Sequence, residues 1–143
     1  MCSRIGQQNV SGGKMKAEQI EFDCIRSAVE ALDRIGTGNS RMMADRAIHI
    51  NVLVRQVPGA DARLLKSVYN EIGAEAAVSR HVYAHEEGAV TDVIVMGTVY
   101  QHREVRRILN DNPLTRPWLS AIEWVVETSK QAIDGDERNP ERS

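Results

Sequence analysis

Aromatic side chains are scarce: one Phe, two Trp and three Tyr in 143 residues. An interior built from this chain has to be mainly aliphatic. Cysteine is scarcer still. Cys2 and Cys24 cannot make a disulfide framework and show no metal-ligand spacing, which fits a reduced, cytoplasmic protein. No apolar run approaches the roughly 18 residues that span a bilayer. The first residues also carry no apolar signal core, so neither membrane insertion nor secretion is expected. Charge of one sign is lacking too, because 18 Lys and Arg stand against 20 Asp and Glu for a net charge of -2. That balance gives no electrostatic case for nucleic acid or an anionic membrane as partner. P-loop, dinucleotide fingerprint and nucleophile elbow are all missing, so no cofactor, no metal and no catalytic residue is assigned.

What is there starts with Ala47 to Ile72. Ile48, Ile50, Val52 and Val54 alternate with His49, Asn51 and Leu53, the period of a half-buried strand. Pro58-Gly59 then turns the chain, and Leu65, Val68, Tyr69 and Ile72 continue at the spacing of one helix face. Gly73 is placed to end that helix, which is read over Asp61 to Gly73. Ala77 to His85 reads as a second strand and Val90 to Tyr100 as a third, joined through Glu86-Glu87-Gly88, whose glycine can take positive φ. A second helix is expected over Arg103 to Asn110, stopped by Asn112-Pro113. A last strand is expected over Leu119 to Glu127, with Ile122, Trp124 and Val126 on one face.

In front of this block, residues 1–16 read as a flexible leader. Residues 17–36 read as an amphipathic helix with Ile20, Cys24, Ala28, Leu32 and Ile35 in one stripe and Gly36 as its stop. Thr37 to Arg46 is a linker, and residues 128–143 read as a disordered tail. The order βαββαβ over residues 47–127 predicts an α+β fold of ferredoxin-like type, four antiparallel strands with two helices on one face. Such a sheet leaves one face open, so a homo-oligomer, most simply a dimer, is expected, the N-terminal helix being the other candidate cover.

With Val52-Leu53-Val54-Arg55-Gln56-Val57-Pro58-Gly59 in place, residues 47–127 resemble an ACT domain. The resemblance implies a regulatory module that binds an amino acid or similar small effector by backbone contacts at the first strand–helix turn. The implied effector-binding positions are Gln56, Pro58, Gly59 and Ala60, with Asn51 contributing a polar group. Gln56 and Asp61 depart from the residues usual at their positions in that family, which leaves open a structural interaction domain without effector. Pro117 to Trp124 is similar to the closing strand of the cytoplasmic domain of MgtC/SapB proteins.

Other residues admit two readings each. His81, Tyr83 and His85 share one face if the second strand is regular, and with Glu86 or Glu87 could hold a metal or serve a small enzyme. The same spacing also describes the solvent face of a hairpin, and that reading is preferred, with the chain read as a binding module rather than an enzyme. His102 reads as a turn or cap residue. Arg103, Arg106, Arg107 and Arg116 form a basic cluster that could grip phosphate or be a solvated helix face.

Overall fold

The computed structural model describes residues 3–5, 10–12, 15–22, 24–84, 88–110 and 116–133. Two compact units emerge, one up to Ile48 together with the residues from Lys130 onward, the other from His49 to Ser129.

The first unit holds four short strands, β1 (Ser3–Ile5), β2 (Val10–Gly12), β3 (Met15–Ala17) and β4 (Ile20–Phe22). They form two antiparallel pairs, β1 with β4 and β2 with β3. The stretch read as a flexible leader therefore contributes strands. The expected helix over 17–36 is correspondingly shorter: α1 runs Ile25–Ile35. Cys24 caps it, its Sγ accepting from the Ser27 N–H at 3.3 Å, so the chain is extended up to that residue. The predicted stop at Gly36 is present, with φ of 89° and its N–H bonded to the Leu32 and Asp33 carbonyls. A five-residue helix α2 (Ser40–Ala44) forms within the stretch read as a linker, and Ser40 Oγ donates to Asp33 on α1.

In the second unit β5 (His49–Pro58) leads directly into α3 (Gly59–Glu71), as the change of period from two to 3.6 predicts. Gly73 follows at φ 86°, its N–H on the Asn70 carbonyl. The second strand is only β6 (Glu75–Ala77). Ser79 then turns the chain into a 3₁₀ segment, Arg80–Tyr83, by accepting from the His81 N–H at 3.2 Å. The sheet continues with β7 (Val90–Thr98), preceded by Gly88 at φ 77°. Helix α4 (Val99–Ile108) begins four residues earlier than expected because Thr98 and Gln101 form a reciprocal capping box.

The largest correction is at the end. Residues 119–127 are not a strand but part of α5 (Pro117–Ile133), which also takes up the start of the expected tail; residues 134–143 lie outside the described residues. Leu119, Ile122 and Val126 are buried at spacings of three and four, the stripe of a helix, while Trp124 lies outside it at 68% exposure. The fold is thus α+β with three antiparallel strands in the order β5-β7-β6, not four. Helices α3 and α4 pack on the face that carries Val52, Val54, Val93, Val95 and Ala76. The opposite face remains open, with Leu53 48% and Ile94 41% exposed as cross-strand neighbours.

Candidate functional site

Strand β5 departs from regular pairing where the sequence pattern breaks. Val54 pairs with Val93 and Val57 with Thr91, so Arg55 and Gln56 together oppose Asp92. This bulge adds one residue to the strand. Gln56 takes it up at φ 59°, a left-handed conformation that a residue with a Cβ rarely adopts. Asp92 holds the distortion by accepting the Gln56 N–H at 3.0 Å, while the Arg55 guanidinium lies 3.5 Å from its other oxygen.

Beside the bulge lies a groove of about 390 Å³. One wall is the unbroken run Val52 to Pro58, and the other is Pro117, Trp118, Ala121 and Val125 of α5. Because both in-facing and out-facing residues of β5 line it, the groove follows the strand's free edge and not one face of the sheet. The α5 wall is fixed by Trp118, whose indole Nε1 donates to Asp61 Oδ2 at 2.8 Å across to α3. Asp61, out of keeping with the family pattern, thus serves as an anchor for the last helix. Nine of the eleven lining residues are apolar, and the one formal charge is Arg55.

The five positions expected to bind an effector separate here. Gln56 and Pro58 line the groove. Gly59 is buried as the first residue of α3, its N–H on the Ala89 carbonyl at 2.9 Å, and Ala60 is exposed beyond it; neither reaches the groove. Asn51 sits on the open face of the sheet, hydrogen-bonded to the His49 ring at 3.0 Å. Gly59 does not take positive φ. The α5 wall was missed because its residues were read as a strand. The signal that finds it is Pro117, a residue favoured at the first helical position.

A second constellation lies between α3, α4 and α5. His102 is buried, with Nε2 2.7 Å from the Ile50 carbonyl and Nδ1 2.8 Å from the Tyr69 hydroxyl. A carbonyl only accepts, so Nε2 carries the proton and Nδ1 accepts from Tyr69. Burial holds the imidazole below its ordinary pKa, opposed in part by the Ile50 carbonyl, and burial raises the Tyr69 phenol well above its usual range. His102 is therefore a structural tie from α4 to β5 and α3, not a turn residue. The adjoining void is about 30 Å³, room for a water and not for a substrate.

Three arginines of the cluster pair locally with carboxylates. Arg103 makes a bidentate pair with Glu127 at 2.9 and 2.9 Å, Arg106 pairs with Glu123, and Arg107 with Glu104 at 2.8 Å. The first two contacts dock α5 on α4. The regular strand that would align His81 with Tyr83 does not form, because residues 80–83 are 3₁₀; His85 lies outside the described residues. Among the described residues no group of three His, Cys, Asp or Glu side chains could hold a metal, and no helix is long and apolar enough to cross a membrane. No family model, curated protein or solved structure matches this chain.

Proposed function

We propose that this chain is a non-enzymatic, cytoplasmic binding module of ACT-like, ferredoxin-like type, regulatory in role, whose effector (an amino acid or similar small molecule) occupies the groove between β5 and α5. One observation carries the reading: a 390 Å³ apolar groove meets a left-handed, two-for-one bulge at Gln56, next to Pro58. Its volume lies within the range of about 300–1,000 Å³ typical of small-ligand sites. Backbone strain of this kind persists where the surroundings over-determine it, and it concentrates at ligand clamps and switches. The strand order first-third-second and the two helices on one face agree with the ferredoxin-like arrangement. There the last strand would lie beside the first, along the edge that α5 overlooks here.

The test is a thermal-shift screen of amino acids, nucleotides and divalent metals, run on the wild type and on Ala121→Trp. Ala121 is exposed on the groove wall, so tryptophan there fills the groove without disturbing the core. A ligand at 100 times its Kd stabilises the native state by about 2.7 kcal/mol. The expected result is a midpoint shift in the wild type that Ala121→Trp abolishes. A shift of equal size in both proteins, or none with any compound, refutes the reading.

A second reading is favoured by the open sheet face. Leu53 and Ile94 are exposed cross-strand neighbours with half-buried Met96 adjoining, a patch that a second copy would cover in a two-fold dimer. Light scattering at micromolar protein should then give twice the chain mass of 15.9 kDa; a monomer mass excludes it. The enzyme alternative built on His81 and His85 gains no support from His81, which lies in a 3₁₀ segment.

A further inference from the structure

Strand β5 pairs with β7 on one side only, and on its other side no strand follows among the described residues. In an antiparallel pair every second residue turns its N–H and C=O away from its partner, so an edge strand presents a row of main-chain donors and acceptors. Here that edge borders the apolar groove. Seven consecutive residues, Val52 to Pro58, line it, with α5 opposite. At about 3.4 Å per residue such a wall is roughly 20 Å long, the dimension of one short strand.

Resting on the proposal that the groove is a binding site, we infer that it also accepts an extended peptide segment of a partner protein, which adds to β5 as a fourth strand. Main-chain pairing supplies affinity, and side-chain pockets on alternate residues supply selectivity. The lining dictates those residues. On the sheet's open face, the position opposite Leu53 is apolar, because Leu53 already has Ile94 on its other flank and is still half exposed. Two residues along, the segment meets Arg55. This guanidinium is the groove's one charge, 71% exposed and held by Asp92 only at 3.5 Å, so an acidic residue complements it. The intervening residue faces Trp118, Ala121 and Val125 and is apolar. Bulges, prolines and charges are also devices that keep sheet edges from pairing. In β5 they stand at Arg55, Gln56 and Pro58, leaving Val52 to Val54 regular; they limit the ladder to a few residues and set its register.

The probe is a fluorescein-labelled peptide, Thr-Val-Glu-Val-Val-Val-Thr-Val-Thr, with glutamate two residues before the central valine, the placement that sets valine on Leu53 and glutamate on Arg55 in an antiparallel strand. Binding is read by anisotropy on the full chain. Two further peptides carry N-methyl groups on alternate residues, one on the odd and one on the even positions. Strand addition uses the N–H groups of one set only. Exactly one methylated peptide should therefore lose binding, by tenfold or more, while the other binds as the parent does. Arg55→Glu should weaken the parent on the order of tenfold and recover with lysine in place of the glutamate. Ala121→Trp should block all three peptides.

If the parent binds but both methylated forms bind equally well, or if Ala121→Trp leaves binding intact, strand addition at this edge is wrong. If the parent fails at millimolar concentration while a small molecule still gives an Ala121→Trp-sensitive thermal shift, the peptide ligand is wrong and the groove remains a site. Failure of both overturns both.

Discussion

The buried His102 makes the stability of this protein depend on pH in a particular window. Its imidazole is 3% exposed, donates through Nε2 to the Ile50 carbonyl and accepts at Nδ1 from Tyr69. Burial lowers its pKa from the ordinary 6.5, an effect that His49 reinforces. A group held neutral in the fold but protonated in the unfolded chain stabilises the fold fully above the unfolded value. That contribution fades as pH falls below 6.5 toward the lowered folded value. One proton is worth about 1.4 kcal/mol per pH unit, so stability should fall, by no more than that per unit, as pH drops below 6.5. Chemical denaturation followed by circular dichroism across this range measures it. His102→Phe removes the titrating group and leaves the Tyr69 hydroxyl and Ile50 carbonyl unpaired, so it should be less stable by about 2–3 kcal/mol at pH 7.5, yet lack this slope. Tyr69→Phe leaves Nδ1 without its donor and should cost about 1–3 kcal/mol with the slope retained. Glu75, whose carboxyl is lowered from 4.5 by hydrogen bonds from the Ala76 N–H and Lys66, affects stability only below that value and does not confuse the window. An equal pH dependence in wild type and His102→Phe would refute the assignment.

Three further outcomes follow from the geometry. Gly59→Ala should be neutral or stabilising by up to about 1 kcal/mol, because φ is not positive and the new Cβ would sit 3.4 Å from the Ala89 carbonyl and 3.6 Å from Val82; a large loss of Tm would contradict this. Gln56→Gly removes a left-handed side-chain residue and should raise stability by roughly 1 kcal/mol in denaturant titrations, since the Asp92 bond uses the main-chain N–H and survives. Trp118→Phe deletes the indole donor to Asp61, and the loss of about 1 kcal/mol should shrink in an Asp61→Asn background, the coupling being read from a double-mutant cycle.

Local pattern was sufficient for the strand–turn–helix unit from His49 to Glu71 and for β7, since both bury one face and their side-chain periods state which. Gly36, Gly73 and Gly88 were legible as turn residues for the same reason, a backbone requirement met within a few residues. The bounds of α4 were also written locally, in Thr98 and Gln101, although the capping box has to be looked for. The last segment was different. Leu119, Ile122, Trp124 and Val126 satisfy a period of two almost as well as one of 3.6, and propensity does not separate them. What decides is tertiary: Glu123 and Glu127 meet Arg106 and Arg103 on α4, and Trp118 meets Asp61 on α3, pairings that a helix starting at Pro117 brings within reach.

The same distinction holds for function. Sequence placed attention on Gln56 and Pro58, because a proline–glycine turn at a strand end is visible in the residues themselves. It gave no sign that Gln56 would be left-handed, since the bulge exists only in the pairing of Arg55 and Gln56 against Asp92, 36 residues from Gln56. Nor could it show that His102 is buried, an outcome of Tyr69 and Ile50 converging from 33 and 52 residues away. The groove belongs wholly to the tertiary structure: β5 supplies an edge, α5 supplies a wall, and the space between them exists because the chain's last apolar stripe folds as a helix and leaves that edge unpaired.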